Sequence, residues 1–270
     1  MRLEPGQVAV VTGGASGIGR GIVDALAARG LTVVLVDVEE RQLGAAVAEL
    51  RERGVTAEGA RVDVRDAAAM LALADRVLAE HGRVDVLCNN AGVIAARRPV
   101  WEHTADDWRW TVDVNLIGVA NGIAAFVPSM VAAGAGHVVN TSSMAGLCPL
   151  DGGGNAAYSA SKHGVIGLSE TLRADLDEVA PAVGVTVLCP GPVPSQIHDS
   201  ARNRPAELAD VGPIAPPAKT TSMTVLEPVP AEVVGGQVVA AVESNRMYLL
   251  TDEAIAPLAR ARIDRVLADL

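Results

Sequence analysis

The chain has 270 residues, 50% of them hydrophobic, enough to build one large α/β domain around a sizeable core. Its formal charge is -10, from 22 basic and 32 acidic side chains with no basic cluster, which argues against a nucleic-acid partner. The three cysteines form no C-x-x-C and the five histidines show no ligand spacing, so free buried thiols in a reducing cytoplasm and no metal site are expected.

No signal-peptide pattern precedes the first apolar run; Glu4 and Pro5 stand ahead of it. Apolar, β-branched segments then alternate with helical spacing. Strands are expected at QVAVVT (7–12), TVVLVD (32–37), AEGARVDV (57–64) and VDVLCNN (84–90). Further strands are expected at HVVNTSS (137–143), VGVTVLCP (183–190) and MYLL (247–250). Helical periodicity covers 19–30, 39–54, 66–82 and 157–178, mostly closed by glycine. Residues 114–150 hold no Asp, Glu, Lys or Arg, and 116–136 has the length of a membrane span. Asn115, Asn121, Pro128, Ser129 and several glycines, without a basic flank, favour a buried or interface helix leading into a central strand.

Near-continuous apolar strands separated by helices imply a parallel sheet covered on both faces. Right-handed crossovers then give a doubly wound α/β (Rossmann) fold of about seven strands in a single domain over 1–270. Nine of the fifteen prolines fall between 190 and 230, where no long helix or central strand can form. This stretch follows a strand's carboxyl end, so 191–226 is read as a substrate lid that orders on binding.

TGGASGIG (12–19) joins the first strand to the first helix. Gly13, Gly17 and Gly19, with Ser16 and Ile18 between them, permit a tight turn and close approach of a pyrophosphate to the helix N-terminus. Asp37 closes the second strand, where a carboxylate accepts both hydroxyls of an adenosine ribose and repels a 2′-phosphate. No cation stands beside it in the glycine loop or at Val38, so the cofactor expected is NAD rather than NADP.

The spacing T-G-x-x-x-G-x-G resembles the short-chain dehydrogenase/reductase family. The resemblance recurs at NNAG (89–92), Asn115 in VDVNLIG, Ser143 in VVNTSSMAG, YSASK (158–162) and PGPVPS (190–195). Tyr158 and Lys162 stand one helical turn apart on one face. A free phenol has a pKa near ~10, and a neighbouring ammonium favours its phenolate, as suits proton exchange with an alcohol near pH 7. The resemblance implies that Tyr158 is the general acid/base and that Lys162 tunes it and holds the nicotinamide ribose. It implies that Ser143, rather than Ser142, bonds the substrate oxygen, and that Asn115 bends its helix around a water of a proton relay. It further places Asp63 and Val64 at the adenine, Asn89, Ala91 and Gly92 on the adenosine side, and Pro190, Val193 and Ser195 at the carboxamide end. Ser195 stands where threonine is usual, Pro194 stiffens the segment, and the Ser143–Tyr158 spacing is longer than usual. His163 points away from Tyr158 by roughly 140°, and the 152–154 glycines form a flexible lip.

These readings imply an NAD-dependent oxidoreductase interconverting a secondary alcohol and a ketone. Alternatives are an idle NAD-binding sensor or scaffold on the same fold, or a lyase or isomerase with bound cofactor. A hydrophobic small-molecule substrate (alicyclic, terpenoid or steroid-like) is favoured over a polyol or acyl thioester. Arg202, Arg204 and Lys219 are the cations expected near it. The helices after 121 and at 158–178 are uncharged or rich in small residues on one side. The family resemblance, in which the corresponding helices pair between subunits, implies a homodimer or homotetramer, with no membrane partner expected.

Overall fold

Seven strands pair in parallel in the order β3-β2-β1-β4-β5-β6-β7. The computed structural model describes residues 1–149, 153–208 and 226–270. The strands are β1 (Val8–Thr12), β2 (Thr32–Asp37), β3 (Ala57–Arg61), β4 (Val86–Asn89), β5 (Gly136–Thr141), β6 (Val183–Cys189) and β7 (Tyr248–Leu250). Central β1, β4, β5 and β6 are buried along their whole length, as strands covered on both faces must be. β3 stops three residues before its expected end. As an edge strand it has one partner, and the chain leaves the sheet where the Asp63 carboxylate accepts the Arg65 backbone N–H at 3.0 Å.

One face is covered by α1 (Gly17–Ala27), α2 (Glu40–Glu52) and α8 (Ala231–Ser244). The other carries α3 (Ala67–His81), α4 (Ala105–Val112), α5 (Gly118–Ala133) and α7 (Ala156–Val179). Asp66 caps α3 by accepting the Ala69 N–H, and Gly82 ends it in the left-handed conformation. α1 and α8 meet backbone to backbone. A Cβ on Gly21 would lie 2.0 Å from the Ala231 carbonyl oxygen, and one on Gly235 equally close to that of Gly21. The short α6 (Met144–Leu147) and C-terminal α9 (Ile255–Ala268) complete the order.

α4, α6, α8 and α9 were not placed by sequence periodicity. α8 begins directly after Pro230, so the proline-rich stretch ends on a helix start rather than in a loop. Between α4 and α5 the helix widens into a π-turn over Asp113–Ile117. The combined helix Ala105–Ala133 is long and apolar enough to cross a membrane by length and composition, with mean hydropathy 1.8. In the fold its Phe126, Val127 and Met130 pack against the sheet. All three cysteines are buried free thiols.

Candidate active site

The chain reverses its strand order between β1 and β4, and a crevice opens there beyond the carboxyl ends of the strands. Two chambers occupy it. The first is a cleft of about 190 Å³ running from the glycine turn past Asp37 to Tyr158 and Lys162. The second is a cavity of about 300 Å³ lined by Ser143, Tyr158, Arg97 and a mostly apolar wall. Tyr158 borders both, together with Ile18, Pro190, Ser195 and Ile197.

The glycine turn is built for close approach. Gly13 and Gly17 have φ of +63 and +52, and a Cβ on Gly19 would sit 2.0 Å from the Gly13 carbonyl oxygen. Ser16 stands at the N-cap of α1 without a side-chain cap bond, so the first N–H groups of the helix face the cleft unclaimed by it. Thr12 fixes the opposite wall: its hydroxyl accepts the N–H groups of Asn90 at 2.9 Å and Ala91 at 3.0 Å. This donor-rich cradle at a helix N-terminus fits a dinucleotide pyrophosphate.

At the adenosine end Asp37 lines the cleft, its carboxylate accepting the N–H groups of Ala15 (3.2 Å) and Glu39 (3.1 Å). Burial pushes its pKa up, and those backbone bonds pull the other way. Asp63 and Val64 line the same end; Asp63 is held by Arg65, with Nη2 to Oδ2 at 2.7 Å. Asn89 belongs elsewhere. Its side chain is buried in the core and donates to Asn140 Oδ1 at 2.9 Å, so Asn90 is the asparagine on the cleft. Side chains alternate along a strand, and β4 turns Asn89 into the α5 face, where Gly122 makes room for it. Ala91 and Gly92 line the cleft as expected, and Gly19 serves packing rather than lining.

At the junction of the chambers Lys162 is buried, and its Nζ donates to the Thr141 carbonyl at 2.8 Å and lies 5.7 Å from the Tyr158 ring centroid. Burial lowers its pKa to about 8. The Tyr158 phenol is pushed upward by burial, and Ser143, within hydrogen-bonding reach, pulls it back. Lys162, expected to lower the pKa of that phenol, turns its ammonium to the Thr141 carbonyl, and desolvation is the first effect on the phenol. Ser143 caps α6, accepting the Ala145 N–H at 3.1 Å, which leaves its own O–H proton for the cavity. Ser142 is committed to the Lys162 carbonyl at 2.7 Å.

Asn115 sits fully buried in the π-turn. It accepts the Val93 N–H (2.8 Å) and donates to the Val93 carbonyl (2.9 Å) and to Ser161 Oγ (3.1 Å). It makes no direct bond to Tyr158 or Lys162. A Cβ on Gly92 would lie 3.4 Å from both Asn115 Oδ1 and Lys162 Nζ, so the two side chains flank that glycine. His163 bonds back to the Ser159 carbonyl within α7, away from the site.

Beyond β6, Pro190 and Ser195 border both chambers and Val193 borders the cavity. Ile197–Asn203 then forms a 3-10 turn folded back over the cleft. Arg202 Nη2 meets Glu39 Oε1 at 2.5 Å, Asn203 donates to the same carboxylate at 2.8 Å, and Gln42 donates to Gln196 at 3.3 Å. Arg204 is buried against Asp107 at 2.8 Å, its guanidinium 5.2 Å from the Trp110 ring. The two arginines expected near the substrate are therefore spent on acidic partners, and Lys219 lies outside the described residues, as do 209–225 of the expected lid and Gly152 of the expected lip. Gly153 and Gly154 are described, at φ of +59 and +85, and are bonded to Arg97, Arg98 and His103. The Glu39 and Asp107 ties were invisible in the sequence because they join residues far apart in the chain.

The short chain dehydrogenase family model matches residues 7–206. The 1-deoxy-11-beta-hydroxypentalenate dehydrogenase of Streptomyces avermitilis is 37% identical, covering 93% of this chain and 86% of that protein. A C alpha-dehydrogenase of Sphingobium sp. is 35% identical over 90% of this chain and 80% of its own. A short chain dehydrogenase/reductase from Burkholderia phymatum, solved in complex with NAD, superposes with a TM-score of 0.90 at 38% identity, covering 100% of this chain and 97% of that one.

Proposed function

Because this chain belongs to the short-chain dehydrogenase/reductase family, whose members here are NAD(P)-dependent enzymes acting on hydroxyl groups, we propose that it interconverts a hydrophobic secondary alcohol and its ketone with NAD. The observation that carries this reading is the placement of Tyr158 as shared wall of the two chambers, with Ser143 on the cavity side and buried Lys162 behind. The bound cofactor supplies the hydride acceptor or donor. The protein's own residues manage the proton and the orientation.

Ser143 donates its O–H to the substrate oxygen, holding it beside the phenol and stabilising charge that develops there. As phenolate, Tyr158 takes the proton from the alcohol; as phenol, it returns one to the carbonyl oxygen. Lys162 would hold the nicotinamide ribose, while Asn115 keeps Val93 and the π-turn in place behind Gly92. Asp37 would receive the adenosine ribose hydroxyls, which supports NAD over NADP. The single domain closes over these chambers with the segment after β6, and α5, which carries no charged residue, supports a homodimer or tetramer of such dimers. The aliphatic cavity wall supports an alicyclic or terpenoid skeleton; the relative from Streptomyces avermitilis, whose name is that of a hydroxypentalenate dehydrogenase, points the same way.

A panel of cyclic and acyclic secondary alcohols with NAD and with NADP tests the reading, with Tyr158→Phe as control. Turnover of at least one alicyclic alcohol is expected. The Phe variant should bind NADH and lose turnover by about 10²-fold or more. Near-normal activity in that variant would overturn the proton assignment, and cofactor binding with no turnover anywhere would favour the sensor alternative.

A further inference from the structure

The substrate cavity holds one charge that the reaction does not use. Arg97 lines its wall, and among the described residues the titratable side chains beside it there are Tyr158 and His198, with no carboxylate. The Arg97 stem rests against Gly154, where a Cβ would come within 2.6 Å of Cγ, and its Nε donates to the Gly153 carbonyl at 3.0 Å. Anchored in this way, the guanidinium keeps both terminal nitrogens free of any carboxylate among the described residues.

That is against the pattern of the site. Arg65 is paired with Asp63, Arg202 with Glu39 and Arg204 with Asp107. In a chain of formal charge -10, acidic partners are in surplus, yet Arg97 faces an aliphatic cavity without one among the described residues. It does not border the cofactor cleft, so the cofactor's phosphates do not account for it. With Nε engaged, the planar guanidinium still offers the edge formed by its two terminal nitrogens, which matches a carboxylate in a two-pronged geometry, and an apolar surround strengthens that pairing.

We propose that Arg97 is a specificity-determining residue and that the substrate is an apolar, alicyclic hydroxy or keto acid. Its carboxylate pairs with Arg97 while its reacting oxygen lies between Ser143 and Tyr158. This rests on the dehydrogenase reading only for which end of the substrate reacts.

Binding tests it without turnover. Adamantane-1-carboxylate and the isosteric neutral adamantane-1-carboxamide are titrated calorimetrically into NADH-saturated wild type, Arg97→Gln and Arg97→Lys. Wild type should bind the acid at least about tenfold more tightly than the amide, as charge-assisted hydrogen bonds allow. Arg97→Gln should bring the acid down to the amide's level, and Arg97→Lys should retain part of the preference. Retained NADH binding shows that each variant is folded. Equal affinity for acid and amide in wild type overturns the proposal, as does a preference that survives in Arg97→Gln. Neutral secondary alcohols assayed with wild type test the dehydrogenase reading separately, and either result stands whatever the other shows.

Discussion

The two chambers differ in how their charges are settled. In the cofactor cleft every ionised side chain among the described residues has a partner supplied by the fold: Asp63 with Arg65, Glu39 with Arg202 and Asn203, Asp37 with two backbone N–H groups, Lys162 with a carbonyl. In the substrate cavity Arg97 is held by its stem and left without a counter-charge among the described residues. A site for an invariant ligand can have its electrostatics finished in advance. A site that selects among ligands must leave a group whose partner arrives with the ligand.

The pair behind the cleft gives the largest effect. Asp107 and Arg204 are both buried, and removing one leaves the other as an uncompensated charge. Asp107→Ala should cost about 3–5 kcal/mol on that ground, and more than its ion pair goes with it, because Asp107 also accepts the Thr104 N–H in the capping box of α4. Urea unfolding of the variant measures it. A loss under about 1 kcal/mol, the range of exposed pairs, would show that the pair is solvated.

Lys162 sharpens the contrast by opposing stability and function. Its ammonium is buried, so the folded chain binds that proton less tightly than the unfolded one does. The sign is therefore that stability rises with pH between about 8, the folded value, and 10.5, the ordinary one. At pH 7 the buried charge costs about 3 kcal/mol, the gap between those values at 1.36 kcal/mol each. Lys162→Met should recover part of it in the cofactor-free protein, less about 1 kcal/mol for the orphaned Thr141 carbonyl, while NAD binding and turnover fall. Unfolding curves at pH 7 and 10 decide it: the variant should be the more stable at pH 7, and its pH slope above 8 should flatten. A variant less stable at both pH values would mean that the carbonyl bond outweighs the buried charge.

Cofactor choice comes next. Asp37→Ala removes the acceptor for the ribose hydroxyls and the repulsion toward a 2′-phosphate. The ratio of kcat/KM for NAD over NADP should fall by about 10²-fold, as for an uncompensated polar contact. Wild-type parity between the cofactors would sink this reading of Asp37.

The same division governs what the sequence could tell. The parallel sheet, the glycine turn and the Tyr158/Lys162 pair rest on short-range patterns: β-branched runs, glycines at fixed offsets, one helical turn. Those are local, and they came through with strand ends shifted by a few residues at most. Asn89 was misplaced because a motif names a segment, whereas the pleat decides which of two adjacent asparagines faces the ligand. Arg202 and Arg204 looked like substrate cations because their partners, Glu39 and Asp107, lie in distant parts of the chain. Arg97 carries no sequence signal of its own, since what singles it out is the lack of a counter-charge among the described residues, and only packing shows that.

The smallest effect is expected where the cleft's two lips meet. Glu39 follows β2 and Arg202 lies in the turn after β6, so their pair ties the segment over the cofactor cleft to the adenosine side. Burial pushes the Glu39 pKa up, but Arg202 and Asn203 more than offset that and hold it below the ordinary carboxylate value. A carboxylate so lowered contributes above its unfolded pKa, ~4.3, and loses that contribution as pH falls through the lower folded value, so the tie is whole at pH 7. The pair is partly exposed, and such pairs are worth about 1 kcal/mol or less, or roughly a fivefold change in a rate they alone control. Arg202→Ala should therefore release NADH about two- to fivefold faster in stopped-flow fluorescence, with kcat rising if release limits turnover. Salt at about 1 M, which shortens the screening length to about 3 Å, should move wild type toward the variant and leave the variant unmoved. Release at the wild-type rate in Arg202→Ala would mean that the tie fastens the loop without gating the cofactor.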